Sequence, residues 1–255
     1  MPNWTYNTMT ITSDSHTLLE KIKNELIGEN ELLDFNKVIP MPETMNVISG
    51  SYEEDRLKYY CLKTNTPMPE NLSHYFPYLR YMTKKNGEEY TLKDYEDYLK
   101  INENKKPQTV YESYPDTRES WLMEGEKIYI NITKYGYKDW YDWCTKHWNT
   151  KWNACDTNTD ETKNELIYHF NTAWNAPIPV AKEISKKYKV KVTLYSEYED
   201  YGERGTEYTF VNGEEKEYKE YPSDEDVEDK YGDYDDWSDE AYDYKYTPIR
   251  TTIEK

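Results

Sequence analysis

Hydrophobic and polar positions follow two different periods along the chain, and these periods mark out its first elements. The N-terminal stretch WTYNTMTIT alternates, with Asn7, Met9 and Ile11 on one side, which is the period of a β-strand. A helical spacing of leucine and isoleucine follows, with a serine-rich cap before it and Gly28 after it. The stretch LLDFNKVIPMP reads as a short strand ended by prolines. The N-terminus is therefore predicted as strand, helix and strand.

Residues 43–125 do not continue this alternation of strands and helices and are predicted to form a mostly helical insertion. The stretches SYEEDRLKYYCLK, NLSHYFPYLRYM and TLKDYEDYLKI each carry apolar residues at helical spacing, as at Leu92, Tyr95 and Leu99. Pro77 weakens the second of these helices. The stretches NENKKPQ and SYPDTRES are rich in turn-forming residues and are predicted as loops.

Strand and helix patterns return after residue 125. Alternation predicts strands at EKIYINIT, ELIYHFN and KVKVTLYSEY, and helical spacing predicts helices at YKDWYDWCTKHW and APIPVAKEISKKY. The stretch TEYTFVNGEEKEYKEY is predicted as a hairpin, because Asn212 and Gly213 both tolerate the positive φ of a type I′ turn. These elements favour the α+β class, with a mostly antiparallel sheet and helices on one face.

Negative charge is concentrated near the C-terminus. The whole chain carries −18, and the 51 residues from Ser196 to Tyr246 hold 20 Asp and Glu against 5 Lys and Arg, a net charge of −15. A field of this sign repels nucleic acid phosphates and anionic membranes, and it attracts basic protein surfaces. We therefore expect a protein partner with a basic surface, and no direct contact with nucleic acid or membrane.

Composition favours a folded protein of a reducing compartment. Aromatic residues make up 16% of the chain, with 29 tyrosines, whereas disordered segments are poor in rings. The N-terminus shows no signal-peptide pattern, and no apolar run approaches the ~20 residues of a membrane span. The three scattered cysteines are too few for a disulfide framework. The expected location is the host cytoplasm, and the oligomeric state stays open.

The stretch PSDEDVEDKYGDYDDWSDEAYDYKY combines carboxylates with aromatic rings. A solvated acidic tail has no use for rings, and Tyr234, Trp237 and Ala241 have the spacing of one helix face. We expect an ordered acidic surface, against the plainer alternative of a solvated tail. The predicted partner-binding residues are Asp224, Glu225, Asp226, Glu228, Asp229, Asp233, Asp235, Asp236, Trp237, Asp239 and Glu240.

Metal and catalytic motifs are weak in this sequence. The carboxylates of DEDVE alternate as calcium ligands do, but the glycine and final Glu of an EF-hand loop are missing. Cys144, His147 and Cys155 are zinc-type ligands without an evident fourth member. Cys144 and His147 could meet on a helix, but no orienting group or oxyanion site accompanies them. We predict no metal, no cofactor and no catalytic residue, and expect that the protein is not an enzyme.

A second candidate site is an aromatic pocket built from tryptophans. Aromatic rings stack on bases, so such a pocket could bind a nucleotide. Lys146 and Lys151 would supply the positive charge that its phosphates need. The rings are those of Trp143, Trp148, Trp152 and Trp174.

The stretches MPNW, FNKVIPMPE, WCTKHWNTKWNA and FNTAWNAPIPVAKEISKKY occur in this order along the chain. Together they resemble the YubB family of phage and plasmid proteins, which carry a ferredoxin-like domain. The resemblance covers both ends of residues 1–200, does not match 44–125 in detail, and recognises nothing beyond Glu214. It implies a ferredoxin-like core and an origin on a mobile element, and it carries over no catalytic residue.

The predicted organisation is a ferredoxin-like α+β core of residues 1–42 and 126–213, a mostly helical insertion at 43–125, and an acidic, aromatic-rich C-terminal extension at 214–255. The function expected first is that of a phage or mobile-element accessory protein. It would inhibit a host defence system by binding a defence protein through an acidic surface that mimics nucleic acid. The alternatives are a binder that sequesters a nucleotide signal in the aromatic pocket, and a virion or assembly protein.

Overall fold

The structure, a computed structural model, describes residues 3–50, 52–76, 84, 87–102, 117–234 and 237–253. The chain forms two compact units. The sheet unit comprises Met1–Pro40 and Cys144–Lys255, and the helical unit comprises Met41–Trp143.

Strands and helices alternate irregularly along the described residues. The strands are β1 (Trp4–Thr12), β2 (Cys155–Glu161), β3 (Glu165–Ala173), β4 (Lys191–Tyr198), β5 (Thr206–Val211), β6 (Glu214–Glu220) and β7 (Arg250–Ile253). The α-helices are α1 (His16–Leu26), α2 (Glu53–Thr64), α3 (Leu72–Tyr75), α4 (Leu92–Asn102), α5 (Arg118–Ile130), α6 (Trp140–His147), α7 (Ile178–Tyr188), α8 (Asp224–Tyr231) and α9 (Asp239–Lys245).

The sheet unit is built on a seven-stranded sheet in the order β2-β3-β1-β4-β5-β6-β7, and each described strand pair is antiparallel. Side chains on β1 and β4 alternate between buried and partly exposed positions, so Met9 and Leu194 face one core. Helix α1 contacts β3, and α7 contacts β4, β5 and β6. The predicted α+β class with a mostly antiparallel sheet is confirmed, and β6 and β7 extend the sheet into the predicted C-terminal extension.

A buried amide joins the three central strands. Asn7 on β1 donates from Nδ2 to Thr172 Oγ1 on β3 at 2.9 Å, and its Oδ1 accepts from Ser196 Oγ on β4 at 2.8 Å. All three side chains lie in the core. Because a buried polar group without a partner is costly, this network favours one register of the three strands.

The predicted hairpin forms between β5 and β6. Asn212 and Gly213 adopt φ of 56° and 83°, as the type I′ turn requires. A Cβ at Gly213 would lie 2.6 Å from Lys186 Cβ on α7, so the turn needs glycine for its space as well as its backbone.

Three local predictions are wrong or incomplete. The predicted strand EKIYINIT is the end of α5 followed by a π-helix at Asn131–Tyr135, because a Thr117–Ser120 capping box starts a helix ahead of it. Its isoleucines fit either period, and Ile128 and Ile132 are buried at helical spacing. The predicted strand LLDFNKVIP is a short 3₁₀ turn at Phe35–Lys37. Strand β2 was not foreseen, since CDTNTDE has no apolar alternation.

The helical unit has a close helix pair at its centre, formed by α2 and α5. A Cβ on Gly125 would lie 2.2 Å from the carbonyl oxygen of Arg56, so glycine sets the separation of the two backbones. Leu57 and Ile128 meet in one hydrophobic cluster beside this contact, and Tyr59 and Trp121 belong to a second, aromatic cluster. The predicted helices at 51–63 and 91–101 are confirmed as α2 and α4. Of the predicted loops at 102–108 and 113–120, residues 103–108 and 113–116 lie outside the described residues, whereas Asn102 ends α4 and residues 118–120 begin α5, so the second loop is shorter than predicted.

Replacing Gly125 with alanine is expected to lower the free energy of unfolding of the helical unit by about 1–3 kcal/mol, because α2 and α5 must move apart. Urea denaturation combined with hydrogen exchange of the α2 and α5 amides measures the change. Glu126→Ala, at an exposed position of the same helix, is the matched control and should stay within about 0.5 kcal/mol. Equal stability of the two variants would contradict the close contact.

The helical unit also contains a buried ion network. Lys138 Nζ lies 3.0 Å from Glu53 Oε2 and 2.8 Å from Asp139 Oδ2, and Glu53 and Asp139 are almost fully buried. Burial raises the pKa of Glu53 from 4.5 to about 8, which the nearby Lys138 ammonium only partly offsets. The folded unit therefore keeps this carboxyl protonated in a range of pH where the unfolded chain releases the proton.

This pKa shift predicts a pH dependence of stability. The raised pKa of Glu53 increases the free energy of unfolding fully below pH 4.5, and this increase is lost as the pH rises towards about 8. Glu53→Gln should flatten that fall between pH 6 and 8, above the range in which Asp55, whose pKa burial raises to about 6, titrates. Urea denaturation at a series of pH values measures this, with Glu126→Gln as control. An unchanged slope in Glu53→Gln would rule out the shift.

Candidate protein-binding surface

The acidic stretch at 222–246 folds as two short helices. A capping box begins α8, with Asp226 N donating to Ser223 Oγ and Ser223 N donating to Asp226 Oδ2, each at 3.0 Å. Ser238 caps α9 with a single bond, in which its Oγ accepts from Ala241 N at 3.4 Å. Acidic residues occupy the first turn of both helices, where the helix dipole favours them.

The single helix face indicated by the spacing of Tyr234, Trp237 and Ala241 does not form. Gly232, at φ 92°, ends α8, so the two rings lie in the link between the helices. Trp237 Nε1 donates to Gly232 O at 3.0 Å, and its ring centroid lies 4.8 Å from that of Tyr234. The buried side chains on the two helices are instead Val227, Ala241 and Lys245.

Lys245 attaches α9 to the rest of the sheet unit. Its side chain is only 8% exposed, and its Nζ lies 2.7 Å from Asp224 Oδ1 on α8 and 3.8 Å from Glu197 Oε1 on β4. Leu194 and Ser196 face the core along β4, and Glu197 is the residue after Ser196. The contact with Glu197 therefore lies on the opposite face of β4 from the core. One ammonium therefore joins two helices and a strand.

Two further carboxylates of α8 have internal partners. Arg204 donates from Nε and Nη2 to the two carboxylate oxygens of Asp226 at 2.8 and 3.1 Å, and this pair holds the pKa of Asp226 well below its usual range. Tyr201 donates its hydroxyl hydrogen to Glu228. Asp224, Asp226 and Glu228 thus turn to three different partners, which is incompatible with a shared calcium ion.

The remaining predicted carboxylates form what we call the acidic face. They are exposed, and within the described residues no Lys or Arg forms a salt bridge with any of them. Asp235 and Asp236 lie outside the described residues. The acidic face consists of Glu225, Asp229, Asp233, Asp239 and Glu240.

The four predicted pocket tryptophans have different environments. Trp148 is a core residue that packs on Phe35 at 5.7 Å between ring centroids and donates from Nε1 to Ile39 O at 3.0 Å. Trp143 is buried and belongs to the helical unit. Trp152 and Trp174 are about a third exposed, at 36% and 37%. Trp148 therefore has a packing role in the core, and the pocket of four tryptophans stays a prediction.

Lys151 lies close to both exposed rings. Its Nζ is 4.6 Å from the ring centroid of Trp152 and 5.1 Å from that of Trp174, within the range of a cation–π contact. The ring of Trp4 lies 6.3 Å from that of Trp152. These three tryptophans and one lysine form an aromatic surface cluster on the sheet unit.

Strand pairing brings together a hydroxyl, an imidazole and a carboxylate that the sequence did not reveal as a group. Thr8 Oγ1 lies 3.2 Å from His169 Nδ1, and His169 Nε2 lies 3.2 Å from Asp160 Oδ2. This order resembles a nucleophile with its base and orienting acid. Thr8, however, lies in a central strand paired on both sides, so its neighbouring N–H groups belong to the sheet and do not form an oxyanion site.

Among the described residues, no three or more His, Cys, Asp or Glu side chains are placed to hold a metal ion. Cys144 is buried, and Cys155 Sγ contacts Asn153 O at 3.5 Å.

None of the helices in the described ranges combines the length and apolar character needed to cross a membrane.

The fold and the comparisons agree on a ferredoxin-like domain. Residues 147–243 match the family model described as a ferredoxin-like domain in Api92-like protein. The match runs through α8 and into α9, past Glu214, where the YubB resemblance ended. The YubB resemblance stays a hypothesis beside this match.

Comparison with whole proteins adds little. A crystal structure of the protein api92 from Yersinia pseudotuberculosis aligns with 88% of this chain and 99% of that chain, at 10% identity and a TM-score of 0.44. A likeness at that score carries no argument about function. No curated protein matches the chain.

Replacing Lys245 with methionine should loosen α9 while leaving most of its side-chain volume in place. Removing one partner of a largely buried ion pair leaves carboxylates facing each other, at a cost of about 1–3 kcal/mol for partly exposed partners. Hydrogen exchange should show lost protection in α9, with the amides of β1 and β3 unchanged. Lys182→Met, at an exposed position of α7, is the charge-matched control. Full protection of α9 in Lys245→Met would contradict its anchoring role.

Proposed function

We propose that this protein is a non-catalytic accessory protein of a phage or other mobile element, acting in the host cytoplasm. It inhibits a host defence system by binding a defence protein. The acidic face occupies a basic groove on that partner, in the place of nucleic acid phosphates.

The observation that carries the proposal is that some carboxylates of 222–246 have partners within the chain whereas others are exposed. Asp224, Asp226 and Glu228 are held by groups within the chain, and in doing so they fix α8. The acidic face is left exposed on the two helices and, at Asp233, on the link between them. Presenting charges on a fixed frame lowers the entropy lost on binding, compared with a disordered tail.

Electrostatics supports a basic partner. A net charge of −15 between Ser196 and Tyr246 steers a positively charged surface towards this end of the chain and repels other acidic proteins. Trp237 and Tyr242 lie beside the carboxylates with ring centroids 5.5 Å apart, and Tyr242 is exposed. Aromatic side chains of this kind supply contact area in protein interfaces.

The proposed mobile-element origin rests on the resemblance of four sequence motifs to the YubB family. Phe35 lies 5.7 Å from Trp148 and 6.0 Å from Phe170 between ring centroids. These residues come from three of the four motifs and meet in one buried cluster. The motifs therefore maintain the scaffold, and the proposed activity is placed on the acidic face.

The nucleotide-binding alternative is less well supported. Two of the four tryptophans are buried, and the cavity beside Trp174 is lined by Glu199, Asp200 and Glu203. These carboxylates repel the phosphates of a nucleotide. No observation on the described residues favours a virion or assembly role.

The proposal predicts that expression of the protein restores phage plating in bacteria that carry one susceptible defence system. The variant with Glu225, Asp229, Asp233, Asp239 and Glu240 replaced by Gln or Asn should lose most of this restoration. Its binding to the purified defence protein should weaken at least tenfold, because several charge contacts of up to about 1 kcal/mol each are lost. Binding of the unaltered protein should weaken steeply from low to high salt.

The control variant removes five exposed or partly exposed carboxylates elsewhere in the sheet unit. It should restore plating and bind as the unaltered protein does. If both variants lose activity equally, net charge and not the acidic face is responsible. If plating is restored in no strain of a panel that covers the known kinds of defence, the proposal fails. The control positions are Asp14, Glu20, Glu29, Asp160 and Glu183.

A further inference from the structure

A cavity of about 340 Å³ opens on the sheet unit beside the start of β1. Aromatic and acidic residues line it, and among the described residues no Lys or Arg belongs to its lining. The lining groups used below are Trp4, Trp174, Tyr198, Glu199, Asp200 and Glu203.

Trp174, in the turn after β3, has an uncommon backbone conformation. Trp174 has φ 77°, a left-handed value that costs free energy for a bulky residue. The turn is fixed by Trp174 N donating to Asn3 O at 2.9 Å and by Thr172 Oγ1 donating to Asn175 O at 2.8 Å. These bonds hold the strained residue in place, and Trp174 is 37% exposed and belongs to the lining of the cavity.

The carboxylates of the cavity differ in how they are held. Glu199 Oε2 accepts from Trp4 N at 2.6 Å, and Asp200 Oδ1 accepts from Gly202 N at 3.2 Å. These bonds fix two of the three negative charges next to the rings. Within the part of the chain that the structure describes, the Glu203 carboxylate has no ion-pair or hydrogen-bond partner, and none of the three has a Lys or Arg partner.

Rings and carboxylates around one cavity select a cation with an apolar or flat surface. An anion would meet three negative charges. A guanidinium fits this lining better than an ammonium, because it is planar, weakly hydrated, stacks on aromatic rings and pairs with carboxylates through two N–H groups. The chain already places one cation, Lys151 Nζ, 5.1 Å from the Trp174 ring centroid.

We propose that this cavity is a binding site for a guanidinium group, with Trp4 and Trp174 as the ring surface and Glu203 as the principal charge partner. The site is separate from the acidic face, and its test needs no defence protein. Failure of the one proposal therefore leaves the other standing.

The test follows the indole N–H signals of Trp4 and Trp174 by NMR in the full chain. The probes are a blocked Gly-Arg-Gly peptide, its lysine and citrulline analogues, and free methylguanidinium. Saturable shifts with the arginine peptide, weaker ones with lysine and none with citrulline are expected. Equal shifts with arginine and citrulline peptides would overturn the proposal, as would the absence of saturable shifts with both guanidinium probes.

The two guanidinium sources give different readings. Saturation by methylguanidinium as well as by the peptide identifies a site for the group itself, free or on a side chain. Saturation by the peptide alone identifies an arginine side chain of a partner protein as the ligand. Either result supports a guanidinium site.

Two charge-matched variants test the residues. Glu203→Gln should weaken binding of the arginine peptide about fivefold, because it removes one exposed charge contact. Glu20→Gln, at an exposed position of α1 outside the cavity lining and outside the acidic face, should bind as the unaltered protein does. Equal weakening in both variants would show only a general attraction between opposite charges and would overturn the assignment of Glu203.

Discussion

The acidic end of this protein depends on the Lys245 ammonium, which is largely removed from water and lies between carboxylates of α8 and β4. Helices that carry many like charges repel each other, and α8 and α9 bury little apolar surface beyond Val227 and Ala241. The Lys245 ammonium on α9 offsets part of that repulsion, because it pairs with the Asp224 carboxylate on α8. Arg204 does the same for Asp226 at the beginning of α8. Lys245 and Arg204, two of the few basic residues in this region, thereby stabilise the folded form of the acidic segment.

Residue patterns predicted the elements that depend on local rules. The alternation of β1, the leucine face of α1 and the Asn212–Gly213 turn each follow from spacing or from backbone preference within a few residues. The errors arise where two local rules fit the same residues. The isoleucines of EKIYINIT suit both a strand and a helix, and only the cap at Thr117 decides between them. Strand β2 is polar because it is an edge strand, so its partner β3 defines it and its own pattern does not.

The sequence could predict which residue types belong to the candidate sites, but it could not predict which side chains contact each other there. The sequence identified the carboxylates of 222–246, yet it could not show which of them have internal partners. Lys245 contacts Glu197 from 48 positions away in the chain, and Arg204 contacts Asp226 across 22. Such pairs depend on the completed sheet. The same holds for the cavity, whose rings come from distant parts of the chain, and for Thr8, His169 and Asp160, which meet only through strand register.

The loop at 199–205 serves both candidate sites, and its residues divide between them. Glu199, Asp200 and Glu203 line the cavity, whereas Tyr201 and Arg204 bond to α8. A Cβ at Gly202 would lie 3.1 Å from Glu225, so the loop also runs close to the acidic face itself. The bonds from Tyr201 and Arg204 to α8 fix the loop on one side, and the same loop carries the three carboxylates that line the cavity.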